Sequence, residues 1–124
     1  MNGDPLVLVR LRDAINSGDA SRVAECFTSD FRAELPHHPE RSFVGADWVR
    51  ANWTAIFDTA PHLTANVLRT AVSGAEIWSE WEITGLDRAG NPITFVGPVI
   101  TTARDGRISS ARFYLEPVRA DQPG

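Results

Sequence analysis

The segment EIWSEWEITG, Glu76 to Gly85, alternates in character along most of its length, and that alternation constrains the fold more than any other feature. In a strand, successive side chains point to opposite faces. Ile77, Ser79, Trp81 and Ile83 then form one row, and Glu76, Trp78, Glu80, Glu82 and Thr84 form the other. The neighbouring segments supply partners for such a strand. HLTANVLRTAV precedes it across an SG turn, and ITFVGPVITTA follows through GLDRAGNP. RDGR then leads into ISSARFYLE, and its Asp-Gly pair is a strong hairpin signal. Gly97-Pro98 should bulge or kink the third of these strands, because proline has no N–H to give to a ladder.

The first half reads differently. In DPLVLVRLRDAINSGD, Asp4 can cap a helix, Pro5 suits its first position, and Gly18 suits its end. Leu8, Leu11 and Ile15 recur at helical spacing. Asp19 then caps a short second helix whose apolar face is expected to be Val23, Cys26 and Phe27. FRAEL alternates as a short strand and stops at Pro36, before the turn-rich crossing HHPERSFVG. ADWVRANWTAIFDTAP gives a third helix with a stripe of Val49, Trp53, Ile56 and Phe57, closed by Pro61. PVRADQPG, residues 117–124, reads as a frayed tail. Three helices followed by a long twisted meander make an α+β domain, with the helices packed on one face of a curved, mostly antiparallel sheet. Long curved strands over helices form a cone whose open mouth leads to a pocket for a small molecule.

Composition narrows the partners. A chain of 124 residues is one domain by length. Its net charge is −4 and arginine is its only strong base, so no basic stripe for nucleic acid is expected. Cys26 is alone, which excludes an internal disulfide and a cysteine-based metal site and suits a reducing cytoplasm. PLVLV is too short to span a membrane, and the start lacks the pattern of a signal peptide. With no phosphate loop or dinucleotide fingerprint, no cofactor is expected, and no metal.

INSGDASRVAECFTSDF, FVGADWVRANW and the closing DGRISSARFYLEP resemble the nuclear transport factor 2-like superfamily, in its SnoaL-like, polyketide cyclase-like branch. The resemblance covers nearly the whole chain, 1–124, as one domain, and implies the cone-shaped fold. That superfamily hosts isomerases, cyclases, hydrolases, dehydratases and binding modules, so fold alone names no reaction. The three positions that carry ketosteroid isomerase chemistry in relatives fall on Leu11, Leu35 and Val99. Those of limonene-epoxide hydrolase fall on Phe113 and on Glu80-Trp81-Glu82, with no arginine between the carboxylates. Neither residue set is present.

Other groups can still carry chemistry. Glu80 and Glu82 share a face at about 7 Å, a spacing open to paired acid/base work or to plain solvation. The isomerase resemblance turns Trp81 and its row inward, whereas the hydrolase resemblance turns the two glutamates inward. Burying two unpaired carboxylates is costly, which favours Trp81 on the pocket side and Trp78 outside. ELPHHPER brings His37, His38, Glu34, Glu40 and Arg41 to the segment that borders the cavity mouth in relatives. An imidazole there titrates near neutrality, so His37 is the expected catalytic base, against an exposed turn as the plain alternative. Asn52 is the expected ligand-orienting group of the third helix, with His38, Trp53, Trp81 and Phe113 completing a substrate-binding wall. On the last strand, Ser109, Ala111, Phe113 and Leu115 are expected inside, and Arg112 is expected to pair with Glu80 or Glu82 across strands.

Two functions remain open from the sequence. One is a cofactor-independent isomerase, cyclase or hydrolase acting on a small, largely apolar metabolite. The other is a ligand-binding or dimerisation module without chemistry. An inward titratable residue would favour the first; a cavity filled by Trp53, Trp81, Phe95 and Phe113 would favour the second. Trp78 and Tyr114 on the outer row suggest a homodimer through that face.

Overall fold

Asp4 begins the helical layer by accepting the Leu6 N–H at 3.0 Å, and Gly18, at φ 73°, ends the first helix in the left-handed region. The computed structural model describes residues 3–118. Among them are α1 (Leu6–Ser17), α2 (Ala20–Ala24) and α3 (Ala46–Thr59). The strands are β1 (Phe27–Glu34), β2 (Phe43–Val44), β3 (Thr64–Ser73), β4 (Glu76–Leu86), β5 (Pro92–Arg104), β6 (Arg107–Phe113) and β7 (Glu116–Pro117). No helix among the described residues is long and apolar enough to cross a membrane.

The sheet runs β2-β1-β6-β5-β4-β3, with β7 added to β5. β1 and β6 are parallel and every other pair is antiparallel. This is the expected α+β architecture: helices on one face of a curved, mostly antiparallel sheet. Leu8 and Ile15 of α1 meet Phe31, Ile77 and Ile108 of the strands in the fully buried centre. The two rows of β4 separate cleanly. Ile77, Ser79, Trp81 and Ile83 are buried, and Glu76 and Trp78 are exposed.

Gly97 marks the point where β5 exchanges one partner strand for another, without the bulge expected there in the β4 ladder. Its φ is 152°, and a Cβ there would run into the Tyr114 carbonyl and the Leu115 backbone. β5 keeps its register with β4 through Gly97 and Pro98. On the other edge the partner changes, from β6, which ends opposite Val99, to β7, which begins opposite Val96. Tyr114 N–H bridges the gap by donating to the Pro98 carbonyl at 2.9 Å.

Several local expectations are corrected. Asp19 caps α2 as expected, accepting from Ser21 and Arg22, but the helix ends at Ala24. Phe27 therefore opens β1 instead of closing the helix, because the Ile108 N–H takes the Cys26 carbonyl at 2.8 Å and draws the chain into the sheet. On α3, Val49 and Phe57 are buried and Trp53 is half-buried, but Ile56 is 37% exposed at the flank of the stripe. On β6, a register shift between Thr102 and Ala103 breaks the alternation, so Ile108, not Ser109, takes the inner place. Arg112 pairs with Glu34 at 2.6 Å, because β6 lies beside β1; Glu80 pairs with Arg69 of β3 at 2.9 Å instead. Of the expected tail, Pro117 joins Glu116 in β7 and the Val118 N–H reaches the Thr94 carbonyl; residues 119–124 lie outside the described residues.

Candidate functional site

The inner face of the sheet and the helices line an apolar space of about 50 Å³. α1 supplies Leu8, Leu11 and Ile15 to its wall, one face of a helix by the spacing of three and four residues. α3 supplies Trp53, whose ring sits 5.4 Å from Phe57. Inner rows of the strands supply Trp81, Ile83, Val99 and Ala111. Phe113 and Leu115 close the side where β6 gives way to β7. The cavity therefore lies beside the point where β5 passes from β6 to β7.

The polar atoms of this wall are already bonded to protein. Trp81 Nε1–H donates to Ser79 Oγ at 2.9 Å, and Ser79 Oγ–H donates to the Val99 carbonyl at 3.0 Å. Thr101 Oγ1–H donates to the Ile77 carbonyl at 3.4 Å. Buried polar groups bonded in this way have no need of a ligand or a water. No residue of the wall titrates. The arrangement can select a ligand by shape and dispersion, but its wall holds no acid, base or nucleophile.

Of the expected site residues, the structure brings Trp53, Trp81 and Phe113 together in one wall. Asn52 is exposed and does not reach the cavity, since it lies one position round α3 from Trp53 and that step turns it away from the sheet. His37 is exposed as well, and is absent from the wall. Its ring packs edge-on against Tyr114 at 5.6 Å, on the outer row of the β6 extension. His38 is half-buried and its Nε2 sits 2.9 Å from Glu116 Oε1. This pair ties the crossing after β1 to β7, one residue beyond the cavity-lining Leu115. Leu11 and Val99, two of the positions that carry isomerase chemistry in relatives, line the cavity as plain apolar wall.

Sequence reasoning missed Thr101 and two further parts of the wall. Ile108 was hidden by the bulge in the β5–β6 ladder, and Phe27 by its assignment to α2. It also missed the His38–Glu116 pair, whose members are 78 residues apart. Among the described residues, no three of His, Cys, Asp and Glu assemble as metal ligands.

A family profile described as SnoaL-like domain matches residues 8–111. No curated protein matches the chain significantly. Among solved structures, a Catenulispora acidiphila protein with a ketosteroid isomerase-like fold, in complex with trimethylamine, superposes with a TM-score of 0.77 at 12% identity, over 89% of this chain and 85% of that one. A Jannaschia protein described as a SnoaL-like polyketide cyclase gives 0.70 at 20% identity, over 90% and 83%. An LEH-like epoxide hydrolase of M. tuberculosis gives 0.74 at 15% identity, over 90% and 80%. At these identities the likeness is one of fold.

Proposed function

The chain belongs to the SnoaL-like domain family, and on that premise we propose that it is a small-molecule-binding domain whose cavity takes a compact, largely apolar ligand. The observation that carries this reading is the wall itself: apolar, with its polar atoms bonded internally and no titratable side chain. At about 50 Å³ the space admits a few heavy atoms. Ordinary ligand pockets run from roughly 300 to 1,000 Å³, so a larger metabolite requires the wall to move. Half-buried Trp53, stacked on Phe57 at the edge of the core, is the part best able to swing. The trimethylamine held by the Catenulispora protein is a ligand of this small scale.

Titration with dichloromethane, a molecule of three heavy atoms, followed by thermal unfolding tests the reading. Dichloromethane should raise Tm in the wild type and leave Ala111→Leu, which fills the cavity, unmoved. Dichloromethane stabilising both proteins equally, or neither, overturns it.

A second reading, that the domain is a cofactor-independent isomerase, cyclase or hydrolase, draws on the His38–Glu116 pair. A carboxylate that holds one imidazole nitrogen orients the ring and leaves Nδ1 free to take a proton. Leu115, adjacent to Glu116, belongs to the cavity wall, and a ligand extending past Leu115 would approach that base. Turnover of small epoxides or enones that vanishes in His38→Gln, with the fold intact, supports catalysis; turnover untouched by the substitution excludes His38. His37, exposed against Tyr114, has no comparable support.

The outer face of the sheet is proposed to pair with a second copy. Trp78 is 45% exposed there, in the row that also carries Ile100 and Arg112 on the neighbouring strands. Light scattering should give a dimer, and Trp78→Glu a monomer; a wild-type monomer at every concentration refutes the pairing. The single free thiol, Cys26, suits a reducing cytoplasmic setting.

A further inference from the structure

α1 separates two concavities. Leu8, Leu11 and Ile15 face the apolar cavity, while Val7, Arg10 and Ala14, on the adjacent face, line an open groove of about 640 Å³. α2 closes one side of this groove with Arg22, and the β5–β6 turn closes the other with Arg107. Arginines from three elements thus line one groove together with Cys26.

None of the three has a carboxylate within ion-pair distance among the described residues. Scarcity of acids does not explain this, because the chain carries 16 Asp and Glu against 12 Arg. Five other arginines do find partners, among them Arg69 on Glu80, Arg104 on Asp30 and Arg112 on Glu34, whereas Arg32, Arg41 and Arg50 have none among the described residues. Arg10 instead donates from Nη1 to the Gly106 carbonyl at 3.1 Å, which fixes its head beside the turn and leaves its other donors available. The groove also holds three carboxylates. Asp13 is engaged by Arg12 at 3.0 Å, whereas Glu25 and Asp105 have no partner.

The field at the groove floor can be read from Cys26. Burial pushes the thiol up and Glu25 adds to that, while Arg10, Arg22 and Arg107 all pull it down. Three guanidinium groups and one carboxylate thus act together on the thiol at the groove floor.

We propose that this groove is a binding site for a small dianion, a phosphomonoester or a dicarboxylate, gripped by Arg22 and Arg107 with Arg10 fixed behind them. Guanidinium groups match both oxyanions through paired N–H donors, and charge-assisted bonds of this kind are among the stronger ones available at a surface. The site is independent of the apolar cavity, since α1 stands between them. Glu25 limits affinity, which sets a sign for the test.

Titration of the full chain with inorganic phosphate, and separately with succinate, followed by amide NMR shifts, decides the matter. Saturable shifts are expected at Cys26 and Gly106, with Thr101 and Ala111 of the cavity unmoved. Arg22→Gln with Arg107→Gln should weaken binding about tenfold or more, as for lost charge-assisted hydrogen bonds. Glu25→Gln should tighten it. Tighter phosphate assigns the phosphomonoester, and tighter succinate the dicarboxylate. Shifts that never saturate in the wild type, or an affinity unchanged by the double substitution, overturn the proposal. The single Arg22→Gln variant serves if the double one does not fold.

Discussion

Trp81 is 3% exposed with its indole N–H on Ser79 at 2.9 Å, whereas Trp78, on the opposite face of the same strand, is 45% exposed with its N–H reaching Glu76 at 3.3 Å. Both are aromatic, both lie in the middle of β4, and both satisfy their polar atom. What separates them is parity against the helical layer. The inner row is covered by helices and bonds its polar atoms inward, which leaves an apolar wall. The outer row keeps its carboxylates on a surface open to water or to a second copy. The same ten residues therefore supply a ligand wall on one side and a candidate assembly surface on the other.

The largest test of that contrast is truncation of each ring. Trp81→Ala should cost on the order of 3–5 kcal/mol, by lost burial and a residual cavity. Trp78→Ala should cost below about 1 kcal/mol in the monomer, as for an exposed side chain. Urea unfolding of both variants at low protein concentration measures the pair. Equal losses would mean that the outer row is as much a part of the core as the inner one.

Ser79 sharpens the comparison at smaller scale. Its hydroxyl accepts from Trp81 and donates to the Val99 carbonyl, so Ser79→Ala strands a buried indole N–H. The expected loss is about 1–3 kcal/mol. Glu76→Gln, which touches the corresponding Trp78 N–H in the exposed row, should change stability within about 0.5 kcal/mol. A Ser79→Ala protein as stable as the wild type would show that water or a ligand replaces the hydroxyl, and that the wall is wetter than its lining implies.

This division was legible because burying Glu80 and Glu82 unpaired costs more than burying Trp81, and alternation then places the whole strand. The same rule failed on β6, where one extra residue in the ladder handed the inner place from Ser109 to Ile108. Nothing local in ISSARF marks that bulge. The end of α2 was hidden for a related reason: the bond that draws Cys26 into the sheet comes from Ile108, far along the chain. His37 and His38 show the limit most plainly. Their directions depend on Tyr114 and Glu116, partners that only the closed sheet brings near. An apolar wall could be read from periodicity, whereas the setting of the two histidines could not.

Glu80 carries the smallest expected effect and the finest discrimination. Its carboxylate meets Arg69 at 2.9 Å, with the arginine side chain 83% exposed and the glutamate 41% exposed. Coulomb attraction between exposed groups is screened, and holding two flexible side chains together opposes it, so such pairs contribute about 0–1 kcal/mol. Glu80→Gln should therefore lower stability by less than about 1 kcal/mol in dilute solution. The loss should also shrink with added salt. If the outer face pairs with a second copy, the same substitution acts on a covered carboxylate, and its effect must grow as protein concentration rises. Urea midpoints of wild type and Glu80→Gln across a concentration series separate the cases. A small, concentration-independent difference leaves Glu80 a surface group. A difference that grows with concentration places it inside an interface. A large loss already present in dilute solution would mean that Glu80, not Trp81, faces the core, and the division of β4 into wall and surface would be reversed.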